Sequence, residues 1–397
     1  WLGLRRCAKL LQFTEPSGGQ IIHPHYEVLK RTGRTSCSRP NFQQVPRTGG
    51  IRECFVPTPG HYFFTIDYRF VELVCLAAVC LYRFGQSTLA EVIRSGRDPH
   101  CYTAALVTGM SYEDFLHLRK TDYVKYKGDR QKAKAINFGL PGGLGVRSLV
   151  EYARTTYGVS LAEGEAKALR HRLIHQVYPE LAAYLADDEM PILAGNLGCP
   201  VNQLWCELWG DGSKPGWLPS TVRRIVSGTT TKRDGAPYHP SFLDRVWGTL
   251  AGCCSKPDLK RVLQTRQAGP QLADRLFRKT VTTLTGRVRA GVNYRQERNT
   301  PFQGLASDGA KLACYQLVRR GYRVVAFVHD EFVLELAINT DHTREAARIK
   351  RIVCGAMAEV LGGSVPVDAE YALSDCWSKG AEALFDDAGR LQPWRYE

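Results

Sequence analysis

The stretch VVAFVHDEFVLEL, residues 324–336, sets three polar residues, His329, Asp330 and Glu331, between two apolar runs. Val and Phe suit a pleated, half-buried surface, so the segment predicts a strand, a tight turn and a second strand. Two adjacent carboxylates at such a tip allow two readings. One is a solvated turn, since turns favour Asp. The other is a metal site, because hard oxygen ligands on a rigid tip can hold Mg²⁺. The hairpin alone leaves both open until a partner carboxylate is found.

The candidate partner is Asp67, which closes the apolar strand HYFFTID just before the helical run VELVCLAA. An Asp there can cap the helix that follows, or it can project from the sheet edge toward a ligand. Together, Asp67 and Asp330 would form the two arms of a two-metal clamp for phosphoryl transfer. A third element, RQKAKAINFGLPGGLG, spaces Arg130, Lys134 and Phe138 by four, so a helix puts two cations and a ring on one face. That face suits a nucleoside triphosphate. It is also what a basic solvated helix with one core Phe would show.

Composition narrows the partners. The chain has 397 residues, with 53 Lys and Arg against 39 Asp and Glu, and its net charge of +14 points to a polyanion, nucleic acid first. The longest apolar run, VELVCLAAVCLY from Val71, is too short to span a bilayer. The N-terminus has no signal-peptide pattern and lacks an initiating Met, which reads as the interior of a longer protein. Thirteen scattered cysteines do not form a secreted disulfide framework. They fit a reducing intracellular setting. Cys199, Cys206, Cys253 and Cys254 cluster without the knuckle spacing of structural zinc. From about Leu89 to Leu185 the pattern is mostly helical, and from Asn196 to about Gly269 it becomes irregular and rich in Gly, Pro and Trp. So long an irregular stretch reads as an inserted subdomain.

At this point the residues resemble a family. Asp67-Tyr68 with Glu72-Leu73, then Arg130, Lys134 and Phe138-Gly139, then His329-Asp330-Glu331 look like motifs A, B and C of the family A DNA polymerases, the bacterial DNA polymerase I type. RTGRTSCSRPNFQQVPR (31–47), IRECFVPTPG (51–60), DPHCYTA (98–104), TLTGRVR (283–289) and NTPFQGLASDGAKL (299–312) are similar to further family segments in the same order. The resemblance implies an α+β right-hand fold: an antiparallel palm sheet and helical fingers, with the thumb largely missing. Its layout would be a thumb remnant over 1–30, a first palm part over 31–85 with motif A, and fingers over 86–195 with motif B. An insertion over 196–270 and a second palm part over 271–397 with motif C would follow.

The resemblance also implies roles. Asp67 and Asp330 would bind two Mg²⁺ ions, with Glu331 supporting them. Glu72 would be the sugar gate. His100, Arg130, Lys134 and Phe138 would bind the incoming dNTP. Arg34, Asn41, Gln43, Arg295, Asn299, Gln303 and His329 would contact a DNA primer-template. The implied activity is template-directed addition of dNTPs to a primer 3′-hydroxyl in replication or repair. Two other readings stay open: a catalytically silent nucleic-acid-binding relative, and a reverse-transcribing or ribonucleotide-tolerant polymerase. The second is suggested by departures from the family pattern. Arg69-Phe70 stands where Ser-Gln is usual, Val74 where an Arg is common, and Gly142 where a Tyr normally stacks at the templating position. The insertion, with Trp205, Trp209 and Trp217, is expected either to form a small core or to meet a processivity partner.

Overall fold

In a computed structural model of the chain, the structure describes residues 21–46, 50–186, 279–292 and 294–396. The expected insertion at 196–270 and most of the expected thumb remnant lie outside the described residues. The chain divides into two compact units, the first holding Trp1–Leu181, Thr282–Arg289 and Asn299–Glu397, the second Ala182–Val281 and Ala290–Arg298. Within the second unit, the Tyr184 hydroxyl donates to the Arg298 carbonyl at 2.5 Å and the Arg298 guanidinium to the Ala186 carbonyl at 2.5 Å. Among the described residues, no helix is long and apolar enough to cross a membrane and every cysteine is a free thiol.

The first unit opens with a short hairpin, β1 (His25–Glu27) against β2 (Ser36–Ser38). Strand β3 (His61–Tyr68) follows, and then α1 (Val71–Phe84). The helical part comprises α2 (Thr88–Arg94), α3 (Pro99–Thr108), α4 (Tyr112–Thr121), α5 (Tyr123–Gly139), α6 (Val146–Tyr157), α7 (Glu163–Arg172) and α8 (Glu180–Tyr184). After the undescribed stretch come β4 (Lys279–Thr282), β5 (Val288–Val292), α9 (Tyr294–Arg319), β6 (Arg323–Val328), β7 (Glu331–Ala337), α10 (His342–Val360), β8 (Ala369–Ser374), β9 (Leu384–Phe385) and β10 (Leu391–Gln392).

The main sheet has four strands in the order β6-β7-β3-β8, and every neighbouring pair is antiparallel. The predicted hairpin is therefore present, and β3, which carries Asp67 and runs on to Tyr68, lies at its side. Helix α1 is buried nearly all round, from Val71 through Cys80, which is why its sequence reads as a continuous apolar run. Helix α10 instead buries a stripe, Ala346, Ile349, Val353, Ala356 and Met357, at helical spacing. One buried polar link joins the layers: the Tyr68 hydroxyl donates to the Val353 carbonyl at 2.8 Å.

In the helical part, sequence sets the element ends. Ser87, Asp98, Ser111 and Asp122 each cap the helix that follows with a side-chain oxygen. A buried polar knot then fixes α3 against α5. The Asn137 amide donates to the Pro99 carbonyl at 3.3 Å, and the Thr103 hydroxyl lies 3.1 Å from its Oδ1.

Tyr68→Phe deletes one buried hydrogen bond without opening a cavity. It should lower the unfolding free energy by about 1 kcal/mol in urea titrations; an unchanged midpoint would show that the hydroxyl does not tie the sheet to α10.

Candidate active site

Strands β6 and β7 close on a two-residue turn, His329 and Asp330, because Val328 pairs with Glu331. His329 takes φ = 62°, and Asp330 is not among the positive-φ residues. Such a turn usually places Gly first; His is one of the few side chains that tolerate the left-handed region. In β3, Asp67 pairs with Glu331 on one side and with Glu370 on the other. Directly paired residues share a sheet face, so three carboxylates stand in a row across three strands beside Asp330.

Like charges set opposite one another are destabilising, and specific cations answer them. Lys379 Nζ donates to Asp67 Oδ2 at 2.7 Å and lies 4.0 Å from Glu331 Oε2. Glu331 also accepts from Trp377 Nε1 at 3.0 Å and pairs with Arg52 at 3.5 Å. Arg52 is 2% exposed, and its guanidinium sits 4.2 Å above the Trp377 ring. Arg69 bridges Asp368 at 3.0 Å and Glu370 at 3.1 Å. Asp330, although part of its surface meets solvent, is pushed up to about 7, by burial first and then by the negative charges of Asp67 and Glu72. Burial likewise raises Glu72, while its partner Arg34 opposes the shift.

The helical part adds the nucleotide-binding candidates. Helix α5 carries Arg130, Lys134 and Phe138 at the predicted spacing. Arg130 donates to Asp98 at 2.5 Å, and Asp98 also accepts from the His100 and Cys101 backbone N–H groups at the start of α3. His100 is buried, which pushes its imidazole down to about 3 and keeps it neutral. The Asn137 amide donates to its Nδ1 at 3.2 Å, and its ring lies 5.2 Å from Phe138 and 6.1 Å from Phe70.

These groups meet in one cleft of about 540 Å³. The sheet contributes Asp67, His329 and Asp330. Glu72 enters from the start of α1, Arg34 from the segment before β2, and His100, Arg130, Lys134 and Phe138 from the helices. Other predicted residues sit apart from that lining. Glu331 is buried against Arg52 and Trp377. The Asn41 side chain accepts from Gln43 N–H, and the Gln43 amide donates to the Thr35 carbonyl at 3.0 Å. Asn299 and Gln303 lie one turn apart on α9 and bond to each other at 3.4 Å. Arg295 belongs to the second unit. Sequence reasoning missed Lys379, Asp98, Arg52 and Trp377. Asp98 carried a cap signal before Pro99; the others carried none, because their partners are remote in sequence.

No group of three or more His, Cys, Asp and Glu side chains among the described residues is arranged to enclose a metal ion. Mg²⁺ does not need such a cage, since it binds through one or two carboxylates and keeps waters and substrate phosphates. The crowded carboxylates around Asp330 fit that donor set.

Comparisons with known proteins show similarity to DNA polymerases. A sequence profile described as DNA polymerase family A matches residues 4–190. The chain is 32% identical over 165 residues to DNA polymerase I of Aquifex aeolicus, a match covering 41% of this chain and 26% of that protein. It is 26% identical over 376 residues to the thermostable DNA polymerase I of Thermus thermophilus, covering 92% of this chain and 34% of that protein. The chain thus spans about a quarter to a third of the length of these curated relatives. Among solved structures, the POL domain of Pol1 from M. smegmatis, in complex with DNA primer-template and dNTP, aligns with a TM-score of 0.54 at 20% identity. That alignment covers 93% of this chain and 50% of the other, and at that identity it speaks for the fold alone.

Two outcomes follow from the charges. Arg52→Ala leaves a buried carboxylate short of its cation and should cost roughly 3 kcal/mol in urea unfolding; a loss below about 1 kcal/mol would place the pair with weak surface bridges. A pH-dependent contribution comes from Asp330. An unfolded Asp titrates near about 4, so from there up to about 7 the folded, metal-free protein holds a proton that the unfolded chain has released. The contribution of Asp330 to stability therefore falls as pH rises through that window and levels off above it, while the depressed His100 imidazole, which gains a proton on unfolding, contributes in the opposite direction. Metal-free Asp330→Asn should gain stability relative to the unaltered protein across the same window; parallel pH profiles would show that Asp330 ionises as an ordinary surface carboxylate.

Proposed function

Taking the chain as what its kinship makes it, a relative of the family A DNA polymerases, we propose that it is a template-directed DNA polymerase. It would add dNTPs to a primer 3′-hydroxyl in replication or repair. One observation carries the reading. The carboxylates Asp67 and Asp330 line the same cleft as a helix face bearing Arg130, Lys134 and Phe138. Carboxylates for Mg²⁺, cations for phosphates and a ring for sugar and base are the set that phosphoryl transfer from a nucleoside triphosphate requires.

In this reading the sheet is the palm and α2–α7 form the fingers. Asp67 and Asp330 hold two Mg²⁺ ions, which when bound supply Lewis-acid stabilisation of charge at the α-phosphate. Glu331 does not reach into the cleft; locked by Arg52 and Trp377, it fixes the start of β7 and hence the hairpin tip. Lys134 and Arg130 grip the triphosphate, Arg130 exchanging Asp98 for phosphate oxygen. Phe138 and the neutral His100 ring form an apolar wall beside the nucleotide. Glu72, held by Arg34, stands as the sugar gate. Arg34, Asn41, Gln43, Arg295, Asn299, Gln303 and His329 contact primer and template, mostly through phosphate and sugar, so binding is not sequence-specific.

The test is primer extension on a DNA primer-template with Mg²⁺ and dNTPs at low salt. Asp330→Ala should lose about 1,000-fold or more in rate, the several kcal/mol that a metal-held carboxylate supplies. If the unaltered chain binds duplex but never extends it, the silent-relative reading takes over. Gly142, where the family's ring is absent, favours one further comparison, the same assay on an RNA template. Equal rates on both templates would assign the relaxed-template activity.

A further inference from the structure

Helix α5 ends at Gly139, and the turn beyond it closes through Gly143 N–H on the Leu140 carbonyl at 2.9 Å and Leu144 N–H on the Gly139 carbonyl at 3.3 Å. In that turn Gly143 takes φ = 77°, which explains its glycine. Gly142 does not have a left-handed backbone, so its missing side chain needs another reason. The reason is space. A Cβ built on Gly142 would lie 2.6 Å from Asn299 Oδ1 and 2.9 Å from Asn299 Nδ2. The same carboxamide donates from Nδ2 to the Gly142 carbonyl at 2.9 Å. On its other side, Gln303 Nε2 donates to Asn299 Oδ1 at 3.4 Å, and Ser307 Oγ, at the wall of the cleft, donates to the Gln303 carbonyl at 2.9 Å.

We propose that Asn299 is a positioning latch. Its carboxamide fills the place a side chain at 142 would take and pins the end of the nucleotide-binding helix to α9, so that Gly142 and Asn299 act as one unit in setting how tightly α5 holds an incoming dNTP. Where the family's ring stacks, this chain has a hydrogen bond. The consequence for dNTP rests on the polymerase reading; the latch itself does not.

The geometry dictates the coupling. Any side chain at 142 must displace the Asn299 carboxamide, so Gly142→Ala and Asn299→Ala break the same contact. Each should raise the Kd for dNTP about fivefold, the effect of one hydrogen bond of ordinary net strength. Together they should do no more than either alone, the sign of a shared interaction. Asn299→Asp keeps the size but removes the donor facing the Gly142 carbonyl, and it should behave as Asn299→Ala does. A packing role alone would leave it like the unaltered chain.

The experiment is the four-variant cycle Gly142→Ala, Asn299→Ala, both and neither, with Asn299→Asp alongside. Dissociation constants for dNTP are measured by fluorescence on a dideoxy-terminated primer-template, and thermal melting is recorded for the same proteins. Support is a rise in Kd and a drop of about 2 °C in melting temperature for each single change, neither increased in the double variant. Additive effects, or a Gly142→Ala variant silent in both readouts, would overturn the latch. If the unaltered chain binds no dNTP and extends no primer, the polymerase reading and the latch's part in nucleotide hold both fall. The melting cycle still decides whether the contact exists.

Discussion

The site depends on the repulsion among carboxylates that the antiparallel register forces together. Pairing Asp67 with both Glu331 and Glu370 lines up three negative charges, and the hairpin tip brings Asp330 beside them. Cations offset the repulsion along that row. Lys379 answers Asp67, Arg52 answers Glu331, and Arg69 answers Glu370. Asp330 is pushed up to about 7 by burial first and then by the charges of Asp67 and Glu72, which the opposing charge of Arg34 does not outweigh. The uneven answer singles out Asp330 as the carboxylate with most to gain from a bound cation.

Backbone conformation sharpens the same place. Among the described residues only Arg39, Phe70 and His329 are non-glycine residues with positive φ, and the last two line the cleft. Each such conformation costs about 1–3 kcal/mol and persists only where the surroundings impose it. Phe70 turns the chain out of β3 directly into α1, which sends Glu72 toward the cleft, and the Arg69 guanidinium lies 5.0 Å from its ring. His329 keeps the hairpin loop to two residues, so Asp330 starts from a rigid strand end rather than a loose loop. The strain lies where ligand geometry has to be held to fractions of an ångström.

Much of this was legible in the sequence because it is local. The apolar runs around His329-Asp330-Glu331 read as a hairpin, HYFFTID as a strand, and the spacing of Arg130, Lys134 and Phe138 as one helix face. What escaped depends on contacts between remote segments. Lys379 meets Asp67 across 312 positions, and nothing near Lys379 announces it. The roles given to Glu331 and Glu72 stood on motif likeness alone, whereas their surroundings are set by Arg52, Trp377 and Arg34, none of them adjacent in sequence. Gly142 read as a loss because a sequence shows the missing ring and cannot show the carboxamide that occupies its place.

If the chain is the polymerase proposed, the pair Arg130 and Asp98 bears on how its cleft would receive a triphosphate. Burial alone would raise Asp98, yet Arg130 outweighs it and the carboxyl is held below its usual range. Removing the cation from an ordinary buried pair leaves an unanswered charge, which is why breaking one is costly. Asp98 is not ordinary in this respect, because its Oδ1 already accepts from two backbone N–H groups at the start of α3 while Oδ2 takes Arg130. In that reading, phosphate oxygens that took the guanidinium would leave the carboxylate its capping bonds and the favourable end of the helix dipole. The exchange therefore costs less than the short contact suggests. In the proposed polymerase, Arg130, tied up in a salt bridge, would be held in position for transfer by a partner that can give it up.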